Sequence, residues 1–141
     1  MRVCVIDGRG GGLGKRLIQQ LHQHTHARHE IIALGTNEVA TEAMRQEGVS
    51  QSGTGEQRIK QALPTVDIIL ASLNLVISGS MLGEVTPGIA DAILNAPGRK
   101  LLLPINRAKV EVVGSEALTL ESLITRTINR VQVIGNEFLL T

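Results

Sequence analysis

The amino-acid sequence predicts a single domain of the α/β class, built around a parallel β-sheet. Its 141 residues are the length of one domain, and a chain of this size buries a core without disulfide bonds. Short aliphatic runs alternate along the chain with amphipathic segments of helical period, which is typical of parallel sheets covered by helices. A glycine-rich stretch, Gly8 to Gly14, lies between the first aliphatic run and the first helical segment.

The first half of the chain predicts three strands, each followed by a helix. The strands are Val3–Asp7, Ile31–Leu34 and a short one at Val49–Ser52. One face of the first helix carries four aliphatic residues at helical spacing, Leu13, Leu17, Ile18 and Leu21. The second helix begins after Asn37, whose side chain can cap it, and ends at Gly48. The third helix spans Glu56–Ala62.

The second half predicts three more strands and two helices. Val66–Ala71 is an almost continuous apolar run, as expected of a strand buried on both faces. Residues 74–84 are compatible with a loop or a weak helix. Thr86 and Pro87 then form a capping signal for a helix through Leu94. Two further strands are predicted at Lys100–Leu103 (buried) and Val110–Val113 (short), and the last helix aligns Leu120, Leu123, Ile124, Ile128 and Val131 on one face.

Connection rules convert these elements into a three-layer, Rossmann-like, doubly wound parallel sheet with strand order 3-2-1-4-5 and a sixth strand. Ligands of such sheets bind at the carboxyl ends of the strands, where the winding direction reverses. Residues 1–141 are therefore predicted to form one Rossmann-like nucleotide-binding domain, with its site near the end of the first strand.

The glycine loop, Gly8 to Gly14, holds five of the 15 glycines. Without Cβ atoms, such a loop approaches a phosphate closely, and its N–H groups and the following helix N-terminus supply positive partial charge. The predicted binding residues are Gly8, Arg9, Gly10, Gly11, Gly12, Leu13 and Gly14. Asp7 opposes an anion unless loop N–H groups occupy its carboxylate. Tight packing alone is the alternative explanation of the loop.

Three known loop motifs can be compared with this stretch. The spacing G-x-G-x-x-G fails, because Leu13 stands where the third glycine belongs. Gly8-x-x-x-Gly12-Leu13-Gly14 resembles the T-G-x-x-x-G-[IL]-G loop of short-chain dehydrogenases and their atypical relatives. A triphosphate-binding loop is disfavoured, because Arg16 replaces the residue that would hold Mg²⁺. NAD or NADP is therefore the predicted cofactor class.

Four further residues complete the predicted cofactor site. Thr36 and Asn37 follow the second strand, where an acid would bind a ribose diol and an arginine a 2′-phosphate, so the choice between NAD and NADP stays open. Thr54 lies in a segment laid out like the adenine side of the atypical short-chain group. Asn106, next to Arg107, follows the last central strand and can bind a carboxylate or phosphate. No metal site is predicted.

Five segments along the chain match one known pattern: residues 5–15, 31–37, 80–87, 104–107 and 110–114. With them the chain resembles a small bacterial family of uncharacterised proteins, a domain of unknown function with Rossmann-like architecture. It departs from the pattern at residues 52–59 and at Ala108, where a cysteine is expected, which argues against a thiol-dependent role there. The resemblance implies the fold and leaves the function open.

Composition excludes several functions. The chain has no tyrosine, which rules out the tyrosine-based proton transfer of short-chain dehydrogenases. No catalytic constellation is recognisable. The candidate groups near the predicted crevice, at the carboxyl ends of the strands, are Ser72, Asn74, Ser78, Ser80 and Glu84. A net charge of +1 and a single aromatic residue, Phe138, disfavour nucleic-acid binding. The sequence has no apolar run long enough to predict a membrane-spanning segment. Because it has a single cysteine and no recognisable leader segment, a cytoplasmic protein is predicted.

The leading hypothesis is a module that binds a nucleotide or dinucleotide and has a regulatory or accessory role. Two alternatives stay open. One is a small NAD(P)-dependent reductase completed by a partner or a homodimer. The other is a metal-handling protein that uses the histidine cluster from His22 to His29, in which His22, His26 and His29 would share a helix face.

Overall fold

The computed structural model describes residues 1–24, 29–105 and 110–140. A five-stranded sheet runs through it, with every neighbouring pair parallel and the order β3-β2-β1-β4-β5. Its strands are β1 (Arg2–Asp7), β2 (Glu30–Gly35), β3 (Gln51–Thr54), β4 (Ile68–Ser72) and β5 (Arg99–Leu103). The predicted fold class and strand order are confirmed.

Five helices cover both faces of this sheet. They are α1 (Gly12–His24), α2 (Glu38–Arg45), α3 (Gly55–Ala62), α4 (Pro87–Asn95) and α5 (Leu120–Leu140). Aliphatic side chains of α1 and α5, with Met44 of α2, form one core with alternate residues of the strands, such as Val3 and Val5. Residues of α3 and α4 form the second core with the intervening strand residues, such as Cys4 and Ile6. The molecule therefore has three layers.

The predicted helix caps at Asn37 and Thr86 are both confirmed. The Asn37 side chain accepts a hydrogen bond from the Ala40 N–H at 2.8 Å, and the Thr86 hydroxyl accepts one from the Ile89 N–H at 3.1 Å. Each satisfies an N–H group that the first turn of a helix leaves without a partner. The caps fix where α2 and α4 begin.

Several boundaries differ from the sequence-based expectations. The predicted sixth strand at Val110–Val113 is not formed in the described ranges; Val110 makes an isolated bridge and the chain then turns. Of the predicted buried strand Lys100–Leu103, only Leu103 is fully buried, because β5 lies at an edge of the described sheet. α5 continues to Leu140, beyond the apolar stripe that predicted it.

The third strand is displaced from its predicted position. It spans Gln51–Thr54 rather than Val49–Ser52, and pairs with β2 so that Thr54 lies opposite Gly35. Residues 74–84, for which the sequence allowed a loop or a weak helix, contain the end of a short 3₁₀ helix, Leu73–Val76, followed by turns. This tightly turned segment joins β4 to α4 at the carboxyl end of the sheet.

Cys4 lies in the central strand β1 and is completely buried. Burial in apolar surroundings raises the pKa of its thiol, since the thiolate would be desolvated. Cys4 is therefore an inert core residue, as its apolar strand neighbours predicted. No helix in residues 1–24, 29–105 and 110–140 is long and apolar enough to cross a membrane.

Candidate functional site at the glycine loop

The glycine loop (residues 8–14) leaves the carboxyl end of β1, the central strand of the sheet. After β1 the chain turns to α1 on one face, whereas after β4 it turns to α4 on the other. Loops that diverge in this way leave a crevice between the ends of β1 and β4. The loop therefore lies where parallel sheets of this type bind their ligands.

The Asp7 carboxylate, at the end of β1, holds the two ends of the glycine loop by hydrogen bonds. One oxygen accepts a hydrogen bond from the Gly8 N–H and the other from the Gly14 N–H, both at 2.7 Å, and only 6% of the residue is exposed. Two loop N–H groups thus donate to the Asp7 carboxylate. Because these hydrogen bonds offset its negative charge, the carboxylate does not prevent an anion from binding to the loop. Asp7 shapes the loop and is directed inward.

Gly11 lets the loop approach helix α2 closely. Its φ of +74° lies in the left-handed region, and a Cβ atom added there would lie 2.7 Å from the carbonyl oxygen of Ala40. Both the conformation and the distance require glycine. The Gly11 N–H is used inside the loop, where it donates to the Gly8 carbonyl at 3.0 Å.

Three other N–H groups of the loop remain available. Those of Gly10, Gly12 and Leu13 have no hydrogen-bond partner among the described residues. Cβ atoms added to Gly10 or Gly12 would meet nothing within 4 Å, so both glycines border open space. Gly12 and Leu13 also begin α1, whose N-terminus carries partial positive charge. This arrangement can bind an anionic group through the backbone.

Two buried polar groups lack partners at the end of the neighbouring strand β4. Within the part of the chain that the structure describes, neither the Ser72 hydroxyl nor the Asn74 side-chain amide nitrogen makes a hydrogen bond, and the two residues are only 3% and 8% exposed. Ser72 has the same parity along β4 as Ile68 and Leu70, so it faces the layer of α1 and α5. Buried polar groups without partners are uncommon and require an explanation such as a ligand.

A cavity of about 400 Å³ adjoins the loop between α1 and α5. Its wall is largely apolar and includes Leu13, Ile105, Leu118 and Leu120, while Gly12 borders it on the loop side. The guanidinium of Arg16, which also lines the cavity, pairs with the carboxylate of Glu121. An apolar cavity with a few polar groups next to a phosphate-sized loop suits a planar ring attached to a phosphate.

On the opposite side of the loop, one carboxylate joins three segments. Oε1 of Glu84 accepts hydrogen bonds from the Thr36 hydroxyl at 2.6 Å, the Asn37 amide at 2.7 Å and the Arg9 N–H at 3.2 Å. The Asn37 amide also donates to the Arg9 carbonyl at 2.9 Å. The Thr36 hydrogen bond, with those from Asn37 and the Arg9 N–H, lowers the pKa of Glu84 below its ordinary value, outweighing its partial burial.

Glu84 belongs to a tightly turned strap, residues 77–86. Gly79 and Gly83 have φ values of +90° and +89°, and the non-glycine residues Met81 and Leu82 adopt +57° and +55°. Side chains in the left-handed region cost about 1–2 kcal/mol each, so the surrounding contacts must hold this conformation. Met81 is buried against Gly8, whereas Leu82 is 97% exposed.

The contribution of Glu84 to stability is expected to depend on pH. Its pKa is lowered in the folded state, so its stabilising contribution is present above the unfolded value of 4.5 and is lost as pH falls through the folded value. Glu84→Gln should therefore reduce the free energy of unfolding at pH 7, and less so at pH 3. Urea unfolding followed by circular dichroism measures the difference. An equal loss of stability from Glu84→Gln at both pH values would contradict this prediction. In a protein that already carries Thr36→Val, the loss caused by Glu84→Gln should be smaller, because the hydrogen bond between the two residues is already absent.

The structure brings most of the predicted site residues together. Thr36 and Asn37 lie beside the glycine loop and are joined to it through Glu84. Thr54 lies farther out at the end of β3, where its hydroxyl bonds to Thr41 at 2.6 Å and to Glu38 at 2.7 Å. Asn106 and its neighbour Arg107 lie outside the described residues. The assignment of all these residues to a cofactor stays a prediction.

Sequence reasoning did not include the strap or the cavity in the predicted binding set. In the sequence, Ser72, Asn74 and Glu84 are candidates because they lie at or beyond the end of β4. The sequence shows neither the hydrogen bond between Glu84 and Thr36 nor the missing partners of Ser72. One available signal was the pair of amphipathic helices α1 and α5 on the same face of the sheet. Their N-termini flank the cavity beside the loop.

The histidine cluster is only partly described. The His22 ring hydrogen-bonds to the Gly48 carbonyl at 2.8 Å, while His26 lies outside the described residues. Residues 1–24, 29–105 and 110–140 contain no group of three or more His, Cys, Asp or Glu side chains that could hold a metal ion.

Comparison with known proteins supports the fold. A family model for a domain of unknown function (DUF3842) matches residues 2–136. No curated protein matches the chain. Among solved structures, the chain is similar to a dodecameric FMN-dependent Ubix-like decarboxylase from Escherichia coli O157:H7, with a TM-score of 0.51 and 13% identity over 96% of this chain and 95% of that one. At that identity the similarity concerns the fold alone.

Proposed function

Given that the chain belongs to the family of domains of unknown function DUF3842, we propose from its site that it binds a nucleotide-type ligand through the glycine loop. A phosphate group of the ligand accepts hydrogen bonds from the N–H groups of Gly10, Gly12 and Leu13. The role is regulatory or accessory, and FMN, NAD and NADP are the first ligands to test.

The three available N–H groups carry this proposal. They lie within or just before the first turn of a 13-residue helix and have no partner in the described chain. Gly10 and Gly12 also border open space. The Asp7 carboxylate already holds two of the remaining loop N–H groups, so the loop keeps its shape without a ligand. A preorganised set of backbone donors binds phosphate without a large ordering cost.

Polar and apolar groups beyond the loop suit the rest of a nucleotide. The cavity between α1 and α5, of about 400 Å³, can take a ring. Ser72 and Asn74 offer buried donors that a ring carbonyl or a sugar hydroxyl would satisfy. The similar decarboxylase is FMN-dependent, which makes a flavin mononucleotide a natural member of the test set beside NAD and NADP.

Isothermal titration calorimetry against a panel of FMN, FAD, NAD, NADP, ATP and coenzyme A tests the proposal. At least one of them should bind with a dissociation constant in the micromolar range or below, which corresponds to about 8 kcal/mol of binding free energy. Inorganic phosphate at high concentration should compete with it. Failure of every compound to bind, with and without Mg²⁺, would rule the proposal out.

Ser72→Ala distinguishes a ligand-binding hydroxyl from a structural one. An unsatisfied buried hydroxyl costs about 1–3 kcal/mol, so the variant should leave the ligand-free protein equally stable or more stable. Affinity for the bound nucleotide should fall about tenfold, the value of one hydrogen bond. Thermal unfolding and calorimetry measure the two effects.

Thr41→Val is the matched control for this variant. Thr41 is also fully buried, but its hydroxyl bonds to the Asn37 carbonyl at 3.1 Å and to Thr54. Its loss should lower the free energy of unfolding by about 1 kcal/mol. Ser72→Ala behaving like this control, with unchanged affinity, would assign Ser72 a purely structural role.

We also propose that the protein self-associates, as the predicted homodimer implies. The last turns of α5 expose Phe138, Leu139 and Leu140. Apolar side chains grouped at a helix end favour a contact with another protein surface. The similar decarboxylase is dodecameric.

A further inference from the structure

We infer that Glu84 restricts the glycine-loop site to mononucleotides, because its carboxylate fills the place where the second half of a dinucleotide would bind. This inference rests on the proposed function and adds to it the class of ligand. Glu84 acts as a specificity-determining residue at the edge of the site.

A doubly wound sheet has two mononucleotide-binding halves, which meet beside the first strand. In this molecule the halves differ. On the side of β4 and β5, the loop borders the cavity between α1 and α5, and its Gly12 N–H is available. On the side of β2, the loop is covered by the strap.

The polar groups on the β2 side are already used. Thr36 and Asn37, which follow β2 where a ribose would be held, both donate to Oε1 of Glu84. The Arg9 N–H donates to the same oxygen at 3.2 Å. An incoming ribose or second phosphate would have to replace all three hydrogen bonds to a charged acceptor, which are stronger than neutral ones.

The space on this side is also filled. A Cβ atom added to Gly8 would lie 2.5 Å from the sulfur of Met81, 2.7 Å from the Thr36 hydroxyl and 3.4 Å from Oε1 of Glu84. A side chain at Gly8 would therefore have to displace Met81 of the strap and Thr36 of the segment after β2. In contrast, Cβ atoms at Gly10 and Gly12 would meet nothing within 4 Å.

The negative charge of Glu84 also disfavours the binding of a dinucleotide. The hydrogen bonds that lower the pKa of Glu84 keep it ionised at neutral pH. A second phosphate placed over Arg9 would therefore face a carboxylate, and like charges at such a position disfavour binding. The first phosphate, at Gly12 and Leu13, lies at the helix N-terminus, where negative charge is favoured.

The strap is held firmly enough to keep Glu84 in place. The Gly79 N–H donates to the Val85 carbonyl at 2.8 Å, and the Val85 N–H donates back to the Ser80 carbonyl at 3.2 Å. Met81 and Val85, on either side of Glu84, are both buried in the core formed with α3 and α4. Moving Glu84 away would expose these side chains.

Two matched ligand pairs test the inference, because each dinucleotide contains its mononucleotide plus an adenylate half: FMN with FAD, and nicotinamide mononucleotide with NAD. In the wild-type protein, the mononucleotide of the bound pair should bind at least about tenfold more tightly than the dinucleotide. In Glu84→Ala that ratio should fall towards one. Glu84→Gln, which keeps the shape and removes the charge, should give an intermediate ratio and serves if the alanine variant does not fold.

Glu42→Ala is the control, since Glu42 is exposed on α2 and, among the residues that the structure describes, its side chain pairs only with Arg45. It removes the same charge and should leave the ratio unchanged. Wild-type protein that binds the dinucleotide as tightly as the mononucleotide, or a ratio that Glu84→Ala leaves unchanged, would overturn the inference alone. If neither pair binds to any variant, the inference falls, whereas the proposed function falls with it only if the other compounds of the calorimetry panel also fail to bind.

Discussion

Gly12→Asp is expected to weaken nucleotide binding strongly without destabilising the protein. A side chain at Gly12 would extend into open space, so it meets no steric conflict. It would place a carboxylate where the phosphate is proposed to bind. Two like charges about 4 Å apart repel by about 4 kcal/mol at an effective dielectric constant of about 20, so affinity should fall by about a hundredfold or more. Calorimetry with the ligand found for the wild type measures the loss.

The same variant, Gly12→Asp, should leave the free energy of unfolding unchanged or raise it. The first turn of α1 contains no acidic residue, and a carboxylate near a helix N-terminus contributes about 0.3–1 kcal/mol. Gly12→Asp should therefore unfold at the same or a higher urea concentration than the wild type. Gly12→Asn, of nearly the same shape, is the control and should weaken binding much less. Unimpaired binding by Gly12→Asp would place the phosphate elsewhere.

Gly11→Ala should produce the largest loss of stability of any single methyl addition in the loop. Gly11 has a φ of +74°, and the added Cβ atom would lie 2.7 Å from the Ala40 carbonyl oxygen, which belongs to the backbone of α2. Either the loop or α2 must move, and we expect the free energy of unfolding to fall by about 2–4 kcal/mol. Urea unfolding followed by circular dichroism measures this.

Gly10→Ala provides the comparison, because it adds the same methyl group one residue away. A Cβ atom at Gly10 meets nothing within 4 Å, so the change in stability should stay within about 0.5 kcal/mol. A loss at Gly11 no larger than that at Gly10 would show that the loop does not pack against α2 as described. The pair separates the structural task of one glycine from the exposed position of the next.

The sheet was predictable from the sequence because its signals are local. The aliphatic runs of β1, β2 and β4 and the capping residues Asn37 and Thr86 each determine structure within a few neighbours. Connection rules then leave few strand orders to choose from. Prediction failed at Val110–Val113, where three valines in four residues have the right composition but form no strand in the described ranges. β propensity depends on the partners a strand finds.

The site was predictable only in part, since its geometry depends on distant contacts. The glycine loop is visible in the sequence. The sequence also shows that Asp7 is compatible with an anion only if nearby loop N–H groups donate to its carboxylate. The bond between Glu84 and Thr36 joins residues 48 positions apart. No local pattern encodes it, because it exists only once the fold has brought the strap against the end of β2 and the glycine loop. The missing partners of Ser72 and Asn74 likewise emerge only from the packed structure.

The burial of Cys4 gives this protein a chemical reporter of its own unfolding. The chain contains no tryptophan or tyrosine, so it lacks the intrinsic fluorescence with which unfolding is usually measured. It contains one cysteine. Because alkylating reagents react with the exposed thiolate, a thiol enclosed in the central strand reacts only in molecules that have opened globally. If opening is fast and reversible, a ligand present at a hundred times its dissociation constant should slow alkylation about a hundredfold. Mass spectrometry of labelled protein would then rank candidate ligands by protection alone.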